Sequence, residues 1–232
     1  MNHQLNPYYF VGSIHDHILT YAANNISANP DPEELADLTY NGLLDYKTSN
    51  PDFPDVDMSV RPLIAAAINS VMNPGDTEDS KSIVNVFPDL FNAYYNTFDN
   101  VAGITALANS KIQDVFKGDF TEAERIQLLG GLALCPTSVS YWEDVISNVG
   151  NPWHAWIETY AGSGTVPSVV KASVWEADVK GFAAGAGAKL GVSILENHVD
   201  PLKVFVYGIG SAAGYSIGQL AINAWNLIFG ND

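Results

Sequence analysis

Residues 207–225 read YGIGSAAGYSIGQLAINAW, with Gly210, Gly214 and Gly218 four apart and no charged side chain among them. Glycine costs roughly 1 kcal/mol relative to alanine inside a helix, so three on one helical face need a return. A face without Cβ atoms lets a second helix approach closely, which multiplies backbone contacts. Residues 169–195, VVKASVWEADVKGFAAGAGAKLGVSIL, supply a candidate partner: Ala177, Gly181 and Gly185 are four apart, and so are Ala183, Gly187 and Gly191. Four-residue spacing keeps each set on one face. Between the two stretches, Asn197–Pro201 reads as a turn ending in a cap and a first-turn proline. The pattern predicts an antiparallel, glycine-zipper-like helical hairpin whose two small-residue faces meet.

Outward from that hairpin the periodicity stays helical. Asn6-Pro7 reads as a cap and first-turn proline, with Val11, Ile14, Ile18 and Ala22 at helical spacing behind it. Asp31-Pro32-Glu33-Glu34 opens a second helix in the same way. Ser49–Asp57, SNPDFPDVD, holds too many breakers for regular structure, and Ser59 opens a segment with Leu63, Ile64, Ala67, Ile68 and Val71. Asn73–Asp79 reads as a turn, and Ile83–Phe98 as helix broken at Pro88. A helix over about Ile104–Phe116 ends at Lys117-Gly118. Thr121-x-x-Glu124 spells a capping box, and Ser140–Glu143 repeats its spacing beyond Pro136. The best strand pattern, Thr165–Val170, contains a proline that weakens it. The fold class is all-α, a multi-helix bundle with a C-terminal small-residue hairpin.

The chain of 232 residues carries a formal net charge of -16. Residues 1–170 hold 21 acidic and 6 basic side chains, while residues 171–232 hold 5 and 4. This shift suggests an acidic helical part, 1–164, and a nearly neutral glycine-rich hairpin, 165–232, packed on it as one compact unit. The acidity excludes nucleic acid as a partner, since that needs a basic footprint. The single cysteine, Cys135, lies in an apolar run and reads as a buried structural thiol. MNHQLNPYYF lacks a basic start and a long apolar core. Location stays open between the cytoplasm and, had a leader been removed, the cell envelope or the exterior.

Asn6-Pro7-Tyr8-x-x-Val11-Gly12-x-x-His15, Ser140-x-Trp142 and Trp175-x-Ala177-Asp178-x-x-Gly181-x-x-x-Gly185 resemble a group of uncharacterised bacterial proteins common in Bacteroidota. The resemblance spans both ends and part of the middle of the chain. It brings no catalytic residue with it, and it implies an exported or envelope location. The glycine-rich tail is also similar in texture to membrane-active bacteriocins, which are shorter and more basic.

Chemistry has few footholds. His15-Asp16-His17 is the one local ligand-like cluster, but i and i+2 point to different faces of a helix, so the two imidazoles do not share a metal there. His15 is expected to face the core and His17 water, while His3, His154 and His198 are scattered. Two acidic loops, Asp52/Asp55/Asp57 and Asp76/Glu78/Asp79, miss the calcium-loop pattern. Glu122, Glu124, Glu143 and Asp144 read as first-turn or surface carboxylates. Gly162-Ser163-Gly164 reads as a flexible linker rather than a phosphate cradle. Tyr8, Tyr9, Phe10, Phe87, Phe91, Tyr94, Tyr95 and Phe98 read as core before groove, and Trp153, Trp156 and Trp175 flank the hairpin. No catalytic, cofactor or metal residue is assigned, and no cofactor is expected.

These features favour a non-enzymatic structural or interaction protein, with a homo-oligomer or a protein partner meeting the glycine-rich faces. One alternative is a membrane-active effector whose hairpin inserts; residues 204–231 lack charge, but Ser211, Ser216, Gln219, Asn223 and Asn226 blunt their hydrophobicity. A second alternative is a metal-dependent enzyme using His15 and loop carboxylates.

Overall fold

The computed structural model describes residues 6–72, 88, 92, 101–195 and 200–229, with side chains at all of these except 171, 172 and 190–195. Eight helices are described along their length and no strand lies among the described residues: α1 Phe10–Asn25, α2 Pro32–Ser49, α3 Val60–Met72, α4 Val101–Lys117, α5 Glu122–Ser147, α6 Pro152–Ala161, α7 Val166–Leu195 and α8 Pro201–Phe229. The chain is an all-α, multi-helix bundle. Its starts follow capping chemistry. Asp31 accepts from the Glu34 N–H ahead of Pro32, Asn151 accepts from the Trp153 N–H ahead of Pro152, and Thr121 and Glu124 form a reciprocal capping box. Side-chain oxygens thereby satisfy amide donors that a helix end leaves free.

One hydrophobic core joins all eight helices. Val11, Ile14 and Ile18 of α1, Leu35 and Leu43 of α2, Ile64 and Ile68 of α3, Leu132 and Trp142 of α5, Trp175 and Phe182 of α7, and Phe205 and Ile209 of α8 are all buried in it. The core therefore runs straight across the composition shift at residue 165. The turn at that boundary, Gly162–Thr165, uses positive φ at Gly162 and Gly164, a backbone state that L side chains resist.

The most extensive helix pair is α7 with α8, followed by α8 with α3. The glycine faces are spent differently from the expected face-to-face seam. Gly181 lies against the backbone of α8, where an added Cβ would come 2.6 Å from the Ser211 carbonyl oxygen and 2.9 Å from the Ala212 Cα. Gly185 meets Tyr207 and Ser211 in the same way. Gly210, Gly214 and Gly218 turn instead to α2 and α3, onto Leu43, Ile64 and Ile68. The two ladders share no seam, because α8 is buried on more than one side and each face takes the neighbour it has. Isoleucine side chains fill the room that the α8 glycines leave.

Two local expectations change, at Asn6 and at Pro136, and the weak strand pattern at Thr165–Val170 is helix from Val166 on, as the all-α reading requires. Asn6 does not cap α1: its carboxamide accepts from the Tyr8 N–H at 2.9 Å and donates to the buried Leu129 carbonyl at 2.8 Å, and α1 starts three residues later than Pro7 suggests. Pro136 does not split its segment; α5 runs unbroken from Glu122 to Ser147. Burial of both flanks, Leu132 and Leu134 on one side and Ser138 and Val139 on the other, holds the helix through the missing hydrogen bond. The strand-like Thr165–Val170 forms the first turns of α7, with the Ser168 and Val169 amides donating to Thr165. Pro88 and Asn92 lie in helix. The remainder of Ile83–Phe98, the turn at Asn73–Asp79 with its acidic side chains, and His3 and His198 lie outside the described residues.

Candidate functional site

Two places in the fold gather polar chemistry. The first is sealed. Asp178, on α7 between Val174, Trp175, Val179 and Phe182, is fully buried. An isolated carboxylate in such surroundings is prohibitively costly, and three donors converge on it. His15 of α1 donates through Nε2 to Oδ1 at 2.8 Å, Trp142 of α5 donates through Nε1 to Oδ2 at 2.7 Å, and the Ser138 hydroxyl donates to the same oxygen. The other His15 nitrogen, Nδ1, faces Asp16 at 3.5 Å. Burial opposes charge on His15, but Asp178 and Asp16 together outweigh it and push its pKa up to about 9. The shift favours the protonated imidazole beside the Asp178 carboxyl group. Burial raises the Asp16 carboxyl above its ordinary range, with His15 pulling the other way. Beside this cluster Tyr141, its hydroxyl near that of Thr20, and Cys135 are both pushed upward by burial.

This arrangement joins three helices through one carboxylate. Ser138 bonds the carboxylate and not the imidazole, so no serine–imidazole relay exists. His15 spends both nitrogens on carboxylates. His15, Ser138 and Asp178 have at most negligible exposure, so no substrate atom reaches them. The cluster ties α1, α5 and α7 at one point. It also joins the stretches around His15, Trp142 and Asp178, which lie far apart in sequence. Gly12 abuts Thr137 so closely that a Cβ would overlap that side chain, and the Trp175 indole donates to the Cys135 carbonyl at 3.3 Å. His15 was legible as core-facing. Asp178 as its partner was not, although one acidic residue amid valine and aromatic side chains was the signal available.

The remaining sequence candidates do not converge. His17 pairs with Asp45 at 2.8 Å on the surface. His154 engages the Val145 carbonyl through Nδ1 at 2.8 Å. Asp55 pairs with Lys47 at 3.3 Å, and Asp57 accepts from the Ser59 amide at 2.8 Å, which turns the chain into α3. His15 therefore lies in the core while the loop carboxylates sit at the α2–α3 connection. Among the described residues no group of three or more His, Cys, Asp or Glu side chains is placed to hold a metal ion. No described helix is long and apolar enough to cross a membrane. Of the tryptophans flagged beside the hairpin, Trp153 and Trp175 are core and Trp156 is half-buried.

The second place is open. A cleft of about 1260 Å³ lies where α6, α7 and α8 meet the end of α3 and the α1–α2 connection. Trp156 and Tyr160 stack there, ring centres 4.7 Å apart at 23°, and the Trp156 indole is anchored by donation to the Ser27 carbonyl at 3.1 Å. From α8 come Tyr215, Gln219 and Trp225, the last about half exposed. The Gln219 carboxamide donates to Asn223 at 2.8 Å, and Asn223 donates to Val169 and Ser173 of α7 at 2.8 and 3.0 Å. Glu176 and Lys180, one turn apart on α7, are the charged lining residues and pair at 2.5 Å. Aromatic faces beside convergent neutral polar groups are the ordinary composition of a ligand site. The lining comes from five separate stretches of chain, so no sequence window displays it. The chain matches no protein-family model, no curated protein and no solved structure, and its own geometry carries the functional reading.

Proposed function

We propose that this chain is a non-enzymatic binding protein: a helical scaffold, pinned internally by the His15–Asp178 cluster, that presents the α6–α7–α8 cleft to a small ligand. The observation that carries this reading is the cleft itself, the place where aromatic rings and hydrogen-bonding groups converge in reach of solvent. Self-association through the glycine faces has less support, since Gly181, Gly185, Gly210, Gly214 and Gly218 already pack against the chain's own helices. Hairpin insertion into a membrane would pull Asp178 away from His15, Ser138 and Trp142, leaving buried charge unpaired on both sides.

Intrinsic tryptophan fluorescence tests the reading, because Trp156 and Trp225 line the cleft. Titration with a chemically diverse set of small molecules is expected to give at least one saturable change. That change should weaken about tenfold or more in Trp225→Ala, the loss of one aromatic contact of a few kcal/mol at most. Saturable binding that ignores Trp225→Ala and Gln219→Ala alike, or no saturable binding, sinks it.

A further inference from the structure

Resting on that reading of the cleft, we infer that its ligand is an uncharged glycan, a short chain of pyranose-like rings rather than a lipid, a nucleotide or an ionic metabolite. Charge is the first argument. The protein carries -16 overall, yet the charged groups lining the cleft, Glu176 and Lys180, neutralise each other at 2.5 Å. A phosphate or carboxylate would find no spare cation there and would meet the repulsion of the whole molecule. A cationic ligand would find its carboxylate already engaged.

Polarity is the second. Among apolar side chains such as Met72, Ile222 and Ile228, which make up more of the wall, the lining supplies Asn29, Ser70, Thr159, Ser173, Gln219 and Asn226, all hydroxyls or carboxamides. Each both donates and accepts, the property that matches a ligand hydroxyl, which does the same. Ser70 and Thr159 already donate to the Ala67 and Ala155 carbonyls and Ser173 accepts from Asn223, which leaves acceptor lone pairs that a ligand hydroxyl can use and an acyl chain or sterol cannot. Gln219 is held in place by the α8-to-α7 chain through Asn223 and Ser173, and its carbonyl oxygen is left available.

Shape and surface supply the third. The Trp156–Tyr160 stack, Tyr215 and the half-exposed Trp225 offer aromatic faces, which suit a ligand with one apolar C–H face and a polar rim. The cleft, at about 1260 Å³, exceeds the roughly 300–1,000 Å³ usual for a single compact ligand, so several linked rings fit better than one.

The test screens the full-length protein against immobilised neutral and anionic oligosaccharides, and follows hits by calorimetry and tryptophan fluorescence. Adenosine, indole and a fatty acid are titrated in parallel as non-glycan probes. Saturable binding of a neutral oligosaccharide is expected. It should weaken about tenfold in Trp225→Ala and in Gln219→Ala, with both variants keeping the wild-type circular dichroism and melting temperature. Preference for an anionic glycan or a non-glycan probe, still sensitive to these variants, overturns the glycan class and leaves the cleft as a binding site. Absence of any cleft-sensitive ligand overturns both.

Discussion

Asp178 concentrates the energetics of this molecule in one side chain. Its carboxylate accepts from His15, Ser138 and Trp142, groups drawn from two other helices. Removing one partner of a buried ion pair typically costs about 3–5 kcal/mol, because the other charge stays behind without compensation. Asp178→Ala is therefore expected to lose about that much stability in urea unfolding followed by far-UV circular dichroism. Asp178→Asn, which keeps the shape and some hydrogen bonding, should lose less. A cost below about 1 kcal/mol for Asp178→Ala would mean that the cluster does not pin α1, α5 and α7. Gly12 acts on the same junction through absence: with Thr137 against it, Gly12→Ala should destabilise by overpacking, about 1–3 kcal/mol, even though alanine is the better helix former.

Whole helices explain why the glycine ladders persist and also what a one-dimensional pattern conceals. At Gly181 an added methyl group would strike the α8 backbone, 2.6 Å from the Ser211 oxygen and 2.9 Å from the Ala212 Cα, and backbone yields little. At Gly218 the nearest atoms, all of Ile68, stand 3.5–3.6 Å away, which is ordinary contact. Gly181→Ala is thus expected to destabilise by about 1–3 kcal/mol. Gly218→Ala should be neutral or stabilising by up to about 1 kcal/mol, since it trades a poor helix former for a good one. Thermal melts of the two variants check this pair, and equal effects of the same sign would contradict it. The contrast also marks what was legible. Caps at Asp31 and Thr121 announced their helices, because capping is local chemistry. The partner of the Gly210 ladder was hidden, because spacing reports a smooth face but not which helix covers it. The same limit applies to Pro136, where tertiary burial overrides a local breaker, and to Asn6, whose hydrogen bond to Leu129 lies 123 residues away in sequence. The cleft was invisible for that reason as well: Asn29, Trp156, Glu176 and Gln219 share no window.

For the whole molecule, the buried pair makes stability depend on pH with a definite sign. The ordinary histidine pKa is 6.5, and His15 in the fold stands at about 9. A group whose pKa is raised by folding binds its proton more tightly in the native state, so its contribution is complete below pH 6.5 and fades as pH climbs to about 9. At 1.36 kcal/mol per pKa unit, the loss is about 3 kcal/mol between those limits. Asp16, also raised by burial, acts with the same sign. Tyrosines begin to ionise only near pH 10, above the upper limit. Urea unfolding at pH 6, 7, 8 and 9 is therefore expected to show stability falling by about 3 kcal/mol, with most of the drop between pH 6.5 and 9. His15→Gln, which cannot take the charge, should be less stable at pH 6 and nearly flat across the series. A wild-type profile as flat as that of His15→Gln would show that the imidazole is neutral in the fold, and the bond to Asp178 would then be an ordinary hydrogen bond instead of an ion pair.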